Sequence, residues 1–103
     1  MNNVRYIEIN INKIGETTEI LIDVEKNLLT INNKQKNITK DKISELFRII
    51  RTWKSTYESS NVLDGLKFTI KIITEDTIDT IVNNGSYPDN YIYFNNWLGE
   101  LYE

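Results

Sequence analysis

Apolar and polar residues alternate in the N-terminal part of the chain. One alternating run covers residues 4–12 and a second covers residues 18–24, and a short apolar run follows at residues 28–31. Period-two alternation of β-branched side chains indicates half-buried strands. These runs therefore predict a three-stranded antiparallel meander with one apolar face and one mostly polar face. The polar and basic stretch at residues 32–38 is predicted to be a loop.

The middle of the chain has helical periodicity instead. Apolar residues recur at helical spacing from Ile43 to Tyr57, which indicates one buried stripe on an amphipathic helix. The stripe consists of Ile43, Leu46, Phe47, Ile50, Trp53 and Tyr57. Thr39 precedes this stripe and is predicted to cap the first turn through its hydroxyl group. Residues 59–61 are polar and are predicted to end the helix.

Two further alternating runs predict two more strands. Residues 66–72 follow an Asp-Gly turn at residues 64–65, and residues 77–82 return after a hairpin tip at residues 75–76. With a terminal helix, the order becomes β-β-β-α-β-β-α. This order predicts a single α+β domain over residues 1–103, with a five-stranded, mainly antiparallel sheet and two helices packed on one face. The other face is predicted to carry Tyr6, Glu8, Asn10, Glu19, Leu21, Asp23, Lys67, Lys71 and Ile73.

The last strand leads into the terminal helix through a short corner. Gly85 is predicted to adopt a positive φ there, because glycine carries no Cβ that would disfavour it. Pro88 suits the first turn of the helix, with Ser86 or Asp89 as its cap. Tyr87 and Tyr91 are expected to pack at the corner, and the Asn90 side chain is expected to bond backbone nearby. The buried face of the helix is predicted to consist of Tyr91, Phe94, Leu98 and Leu101.

This corner resembles an element found in a loosely defined group of small bacterial proteins without a settled activity. The element reads G-[SN]-x-Y-P-x-N-[FY], and here it is Gly85-Ser86-Tyr87-Pro88-Asp89-Asn90-Tyr91. The resemblance covers about half of the chain, from Trp53 onward, and includes Asp64-Gly65 and the hairpin that follows. It implies a shared fold in that region. It implies no activity, and no catalytic residue is carried over from it.

The composition excludes several kinds of chemistry. The 103 residues include no cysteine and no histidine, which removes disulfides, thiolate metal sites and histidine-based catalysis. A net charge of −3 argues against nucleic acid, whose phosphates require clustered lysine and arginine. No apolar run approaches the roughly 20 residues of a membrane span, and residues 1–5 lack the pattern of a signal peptide. A cytoplasmic protein is predicted, and the abundant Ile, Asn and Lys indicate an AT-rich bacterial or phage genome.

Candidate catalytic and metal-binding residues are weak. Glu75, Asp76 and Asp79 are close in sequence, but neighbouring strand residues point to opposite faces, so a solvated hairpin tip is favoured over a cation site. Glu8 and Glu19 lie at predicted outward positions, which disfavours a buried acid–base pair. The glycines are isolated and form no phosphate-binding loop. We therefore predict no catalytic, metal-binding or cofactor-binding residue, and no cofactor.

Two features indicate an interaction surface. The predicted first helix carries the main basic concentration, and the terminal helix has more aromatic residues than one buried face accommodates. The candidate surface consists of Arg48, Arg51, Lys54, Tyr93, Trp97 and Tyr102. Tyrosine, tryptophan and arginine are common anchors of protein interfaces.

The sequence therefore predicts a non-catalytic protein-binding module, such as an immunity protein or an inhibitor acting by surface complementarity. A homodimer is expected, through the open sheet face and Trp97. One alternative is a small-ligand-binding protein or enzyme that uses Asp, Glu or Tyr in a pocket between sheet and helices. The other alternative is nucleic-acid binding through the basic residues between Lys34 and Lys54.

Overall fold

The computed structural model of the chain describes residues 3–13, 15–58 and 67–102. In these residues, one sheet of seven strands packs with two helices. The elements are β1 (Val4–Lys13), β2 (Glu16–Asp23), β3 (Leu28–Ile31), β4 (Lys34–Asn37), α1 (Lys40–Ile50), β5 (Thr56–Glu58), β6 (Lys67–Thr74), β7 (Ile78–Asn84) and α2 (Tyr91–Glu100). The strand order is β4-β3-β2-β1-β6-β7-β5, and β5 pairs with β7 in parallel while the other pairs are antiparallel. The predicted α+β class is confirmed, but the prediction of five strands is wrong.

Strand β1 lies at the centre of the sheet and organises the core. Ile7 pairs with Ile22 on one side and with Ile72 on the other. Ile9 is flanked in the same way, by Ile20 and Ile70, and all six isoleucines are buried. Alternate residues of β1 face away from the core, and Tyr6 is 41% exposed. The predicted division of the meander into an apolar and a polar face is confirmed.

Strand β4 occupies the stretch that was predicted to be a loop. Ile31 pairs with Lys34, so residues 32 and 33 form a two-residue hairpin turn. Both are asparagines with positive φ, 46° for Asn32 and 72° for Asn33, as a tight hairpin of matching twist requires. The loop prediction is wrong because β4 is an edge strand that is exposed throughout, and it therefore has no apolar alternation.

Helix α1 begins as predicted but ends earlier. The Thr39 side chain accepts a hydrogen bond from the Lys42 amide at 3.1 Å, which confirms the cap. The helix ends at Ile50, so Trp53 and Tyr57 do not continue its buried stripe. Tyr57 instead belongs to β5, where the stretch rich in Ser, Thr and aromatic residues adds to the sheet edge beside β7. Such residues favour a strand more than a helix, and tertiary pairing decides the outcome.

Helix α2 is buried on one side and tied to α1 there. Phe94 and Trp97 are both 0% exposed, and Leu98 and Leu101 are buried with them. The indole Nε1 of Trp97 donates to the backbone carbonyl of Lys42 at 2.8 Å. The Lys42 ammonium also forms an ion pair with Glu100 and lies 5.8 Å from the centre of the Trp97 ring. The expectation that Trp97 contributes to an exposed surface is therefore wrong.

The corner before α2 differs from the prediction in how the helix starts. Gly85 has a φ of 77°, which confirms the predicted positive value. The rings of Tyr87 and Tyr91 stack with centroids 4.6 Å apart, so they pack at the corner as expected. The helix begins only at Tyr91, after a turn in which the Tyr91 amide donates to the Pro88 carbonyl at 3.0 Å. Asn90 is the N-cap residue, and neither Ser86 nor Asp89 fills that place.

Two expectations fall outside the described residues, the turn at residues 64–65 and the start of a strand at Leu66. The expectation that the helix ends at residues 59–61 is wrong, because α1 ends at Ile50 and β5 follows it. Within the described range, the predicted hairpin of residues 66–82 is confirmed from Lys67 onward as β6 and β7.

The buried ring of Phe94 gives a test of the packing. We expect Phe94→Ala to lower the free energy of unfolding by about 3–5 kcal/mol, because it leaves a cavity among packed aromatic rings. The neighbouring Tyr93→Ala is the matched control, since Tyr93 is 62% exposed and should change stability by less than about 0.5 kcal/mol. Urea denaturation measures both values, and equal effects of the two changes would contradict the orientation of α2.

Candidate protein-binding surface

The structure does not bring the six predicted surface residues together. Trp97 is in the core, and Tyr102 lies at the far end of α2 beside β4. Lys54 lines a cleft next to Trp53. Arg48 and Arg51 remain together on α1, and they line the same groove. Arg48 and Arg51 are therefore predicted residues that share one groove, and Arg48 also shares a groove with Tyr93.

The groove beside α1, called the α1 groove below, has a volume of about 460 Å³. It is lined by Val24, Lys40, Ile43, Ser44, Phe47, Arg48 and Arg51. Apart from Val24, which follows β2, these residues belong to α1 or border it. Their spacing on the helix places them on one continuous stripe that extends about 16 Å from Lys40 to Arg51, at about 1.5 Å per residue. The groove therefore follows the whole length of α1.

The α1 groove combines an apolar floor with a cationic rim. Val24 and Phe47 are half-buried and pack against the core, while Lys40, Arg48 and Arg51 are exposed. Half-buried apolar surface beside arginine side chains is a common composition of protein interfaces, because arginine pairs with carboxylates and also covers apolar surface. This composition favours a ligand that carries both carboxylates and apolar side chains.

The cations of the α1 groove have no carboxylate partner among the described residues. The ion pairs among the described residues join Arg5 to Glu25 at 2.7 Å, Arg5 to Glu75, and Lys42 to Glu100. Lys42 is therefore paired with a residue of α2, whereas Lys40, Arg48 and Arg51 take part in none of these pairs. Their charges face solvent over the groove and are available to a partner.

A second groove adjoins the first between the two helices. It has a volume of about 430 Å³, and Arg48 lines both grooves. Tyr93 stands on its α2 side and is 62% exposed, with Ile92 beside it on the helix at 57%. The two grooves therefore meet at Arg48, and the second groove also contains the carboxylates of Glu45 and Glu100.

A third concavity lies at the corner that precedes α2. This aromatic cleft of about 460 Å³ is lined by Thr52, Trp53, Lys54, Tyr57, Tyr87, Pro88, Asp89 and Asn90. Asn90 forms two hydrogen bonds in the wall of this cleft. Its Oδ1 accepts from the Trp53 indole at 2.7 Å, and its Nδ2 donates to the Ile49 carbonyl at 2.9 Å. The Asn90 side chain therefore bonds groups that are distant in sequence and makes no capping bond to the nearby backbone, so the expectation of a bond to nearby backbone is wrong. Its bond to Ile49 joins the start of α2 to the end of α1.

A buried amide lies next to a residue of this aromatic cleft, since Asn83 pairs in register with Tyr57. Asn83 is 0% exposed, and neither its Oδ1 nor its Nδ2 has a hydrogen-bond partner among the described residues. It pairs with Phe68 of β6 and with Tyr57 of β5, so aromatic residues flank it on both sides. A buried polar group without a partner is rare and costs free energy, which makes Asn83 the least expected residue of the core.

The acidic residues of the β6–β7 hairpin do not form a metal site. Glu75 is in an ion pair with Arg5, and Asp76 and Asp79 are exposed. No group of three or more carboxylates in the described parts of the chain is placed to hold a cation. Neither described helix is long and apolar enough to cross a membrane.

Comparison of the chain with protein-family models and with curated protein sequences finds no match in either. The geometry of the molecule is therefore the basis for assigning a function.

Sequence reasoning identified the cations of the α1 groove but not its floor. Phe47 was predicted to lie on the buried stripe of the first helix, and Val24 is the last residue of the second alternating run. Each side chain packs against the core but is only half-buried, so each also lines the groove. The Asn83 amide was also missed, although its alternation with Ile81 would have placed it on the inward face of β7.

The bridge made by Asn90 predicts a measurable loss of stability. We expect Asn90→Ala to lower the free energy of unfolding by about 1–3 kcal/mol, because the Trp53 indole and the Ile49 carbonyl both lose their partner. Asn96→Ala is the matched control on the exposed side of the same helix. Chemical denaturation followed by circular dichroism gives both values. An Asn90 variant as stable as the Asn96 variant would contradict a structural role for the bridge.

Proposed function

We propose that this protein is a non-catalytic protein-binding module that captures an acidic segment of a partner in the α1 groove. The segment carries carboxylates that pair with Lys40, Arg48 and Arg51, and apolar side chains that rest on Val24 and Phe47. The supporting observation is that these cations have no carboxylate partner among the described residues. They also border the half-buried apolar side chains of Val24 and Phe47.

The chemistry of the α1 groove favours a protein over a nucleic acid. A nucleic acid requires a track of cations along its phosphates and flat aromatic rings for its bases. Phe47 is the single aromatic residue of the groove, and its other apolar residues are the aliphatic Val24 and Ile43. The chain as a whole carries a net charge of −3, which opposes the approach of a polyanion. A short acidic segment needs only the local charge.

The biological role that we propose is that of an immunity protein or an inhibitor in a bacterium or phage, acting in the cytoplasm. Such a protein acts by occupying a partner's surface and needs no catalytic group. A toxin-like reading frame beside the gene would support this role, and an unrelated operon would count against it.

Selection from a random peptide display library tests the binding proposal. We expect the wild-type protein to enrich peptides that combine Asp or Glu with Leu, Ile or Phe. The double change Arg48→Glu and Arg51→Glu should weaken binding of those peptides by at least about tenfold, because charge attraction becomes repulsion.

The matched control is Lys13→Glu with Lys34→Glu, which changes the net charge equally at exposed positions outside the groove. This control should bind the selected peptides as the wild type does. Enrichment of basic peptides, no enrichment, or equal losses in the two double variants would contradict the proposal. Binding of the wild type to a DNA or RNA duplex at low salt would favour the nucleic-acid alternative instead.

The second candidate function is binding of a small planar ligand in the aromatic cleft. The specific observation in its favour is Asn83, whose buried carboxamide has no hydrogen-bond partner among the described residues and which pairs in register with Tyr57 of the cleft. A planar amide or heterocycle stacks on aromatic rings and pairs with a carboxamide through two hydrogen bonds.

A library of planar amide and heterocyclic fragments, observed by NMR, tests this candidate. We expect shifts confined to residues of the cleft, lost in Asn83→Leu, which keeps a similar volume without the amide. If no fragment shifts the cleft residues and Asn83→Leu only raises stability, the amide has no ligand and this candidate is wrong.

A further inference from the structure

The face of the sheet opposite the helices carries an apolar band that no described element covers. Tyr6 of β1 pairs with Ile73 of β6, and Ile73 pairs with Ile78 of β7, so the three side chains lie side by side across the sheet. Tyr6 is 41% exposed and Ile78 is 63% exposed. Leu21 on β2 is a further exposed apolar residue on this face, at 39%. Such a band on a water-facing sheet marks an interaction surface.

Opposite charges flank this band in a self-complementary arrangement. The acidic residues Glu8, Glu19 and Asp23 lie on β1 and β2, and the basic residues Lys67 and Lys71 lie on β6. Glu8 pairs in register with Lys71, one row along the strands from Tyr6 and Ile73. The two charged groups form no ion pair with each other within the described residues. The face is therefore acidic on one side of the β1–β6 boundary and basic on the other.

We propose that a second copy of this chain binds the open face, related by a two-fold axis that runs parallel to the strands between β1 and β6. Rotation about this axis places β1 of each copy over β6 of the other at the same height along the strands. Tyr6 of one copy then rests on Ile73 of the other, and Glu8 lies over Lys71, twice each. A two-fold interface requires this kind of self-complementarity.

The charge pattern favours this axis over two other two-fold arrangements. An in-plane axis perpendicular to the strands would place β1 on β1 and β2 on β2 with their directions reversed. Acidic residues would then lie over acidic residues, with Glu19 over Asp23 when Glu8 lies over its own copy.

An axis between β1 and β2 would place Glu8 over Leu21, so that no acidic residue of these strands would lie opposite a lysine. Of the three arrangements, the axis between β1 and β6 is the one that places a carboxylate opposite an ammonium group, and opposite charges across an interface attract.

The edges of the sheet offer poorer contacts than its face. Strand β4 is four residues long and carries Lys34 and Lys36, and β5 is three residues long. Short edges with lysine resist strand addition. By contrast, β1, β2, β6 and β7 have 7 to 10 residues each. At the usual strand spacing and rise, the flat area of these four strands is on the order of 500 Å², and the relief of the side chains adds to the accessible surface. With the flanking strands, this approaches the roughly 800 Å² per partner of a standard interface.

Charge reversal in mixed samples tests the proposal. Sedimentation velocity should show a wild-type dimer, and Glu8→Lys and Lys71→Glu should each weaken dimerisation by at least about tenfold, because each places like charges opposite each other twice. A mixture of these two variants should restore a dimer, and native mass spectrometry should identify it as the heterodimer. The chain with both changes should form a homodimer again, because a lysine at position 8 of one copy then lies over a glutamate at position 71 of the other. Within one copy, the two cross-strand neighbours also keep opposite charges.

The matched control uses another pair of opposite charges in cross-strand register. Lys13 and Glu16 pair at the β1–β2 hairpin and are both exposed. Because side chains alternate along a strand, Lys13 and its partner belong to the opposite face of the sheet from Glu8. Lys13→Glu and Glu16→Lys should each dimerise as the wild type does. A wild type that stays monomeric at high concentration, single variants that dimerise normally, or a mixture of folded variants that stays monomeric would overturn the proposal. The α1 groove lies on the other side of the sheet, so these outcomes are independent of the peptide selection.

Discussion

The pairing of β1 with a strand on each side is the constraint on which the rest of the structure depends. It joins the N-terminal meander to the C-terminal hairpin in one sheet, although these segments are far apart in sequence. Because Ile7 and Ile9 alternate with Glu8 and Asn10, one face of this central strand is buried and the other faces solvent. Both helices contribute to the core on the buried face. The solvent face carries the charged residues and the apolar band of Tyr6, Ile73 and Ile78.

The position of α2 determines what remains exposed on the helical side. Trp97 is buried and bonded to the start of α1, and Asn90 connects the start of α2 to the end of α1. Because α2 is fixed against α1 at both ends, the opposite flank of α1 remains open, and Arg48 and Arg51 border the resulting groove. Of the aromatic residues that suggested an interface in the sequence, Trp97 belongs to the core, whereas Tyr93 and Tyr102 are exposed and line different grooves.

Much of the fold could be predicted because local patterns agree with tertiary packing. The alternation in β1 and β2, the Thr39 cap and the positive φ of Gly85 each follow from nearby residues. Other features depend on partners that sequence spacing does not reveal. Strand β4 is polar throughout and is recognisable only by its Asn-Asn turn, and β5 forms because β7 offers an edge. The α1 groove joins the end of β2 to α1, and no periodicity indicates that contact.

NMR mapping of amide shifts tests most directly whether the two proposed binding faces are separate. A dilution series of the wild type should shift residues around Tyr6, Glu8 and Lys71. A titration with a peptide of alternating Asp and Leu should shift residues around Val24 and Arg48 and leave the first set unchanged. Shifts of one common set in both experiments, or a dilution effect located on α1 or α2, would contradict the division into two faces.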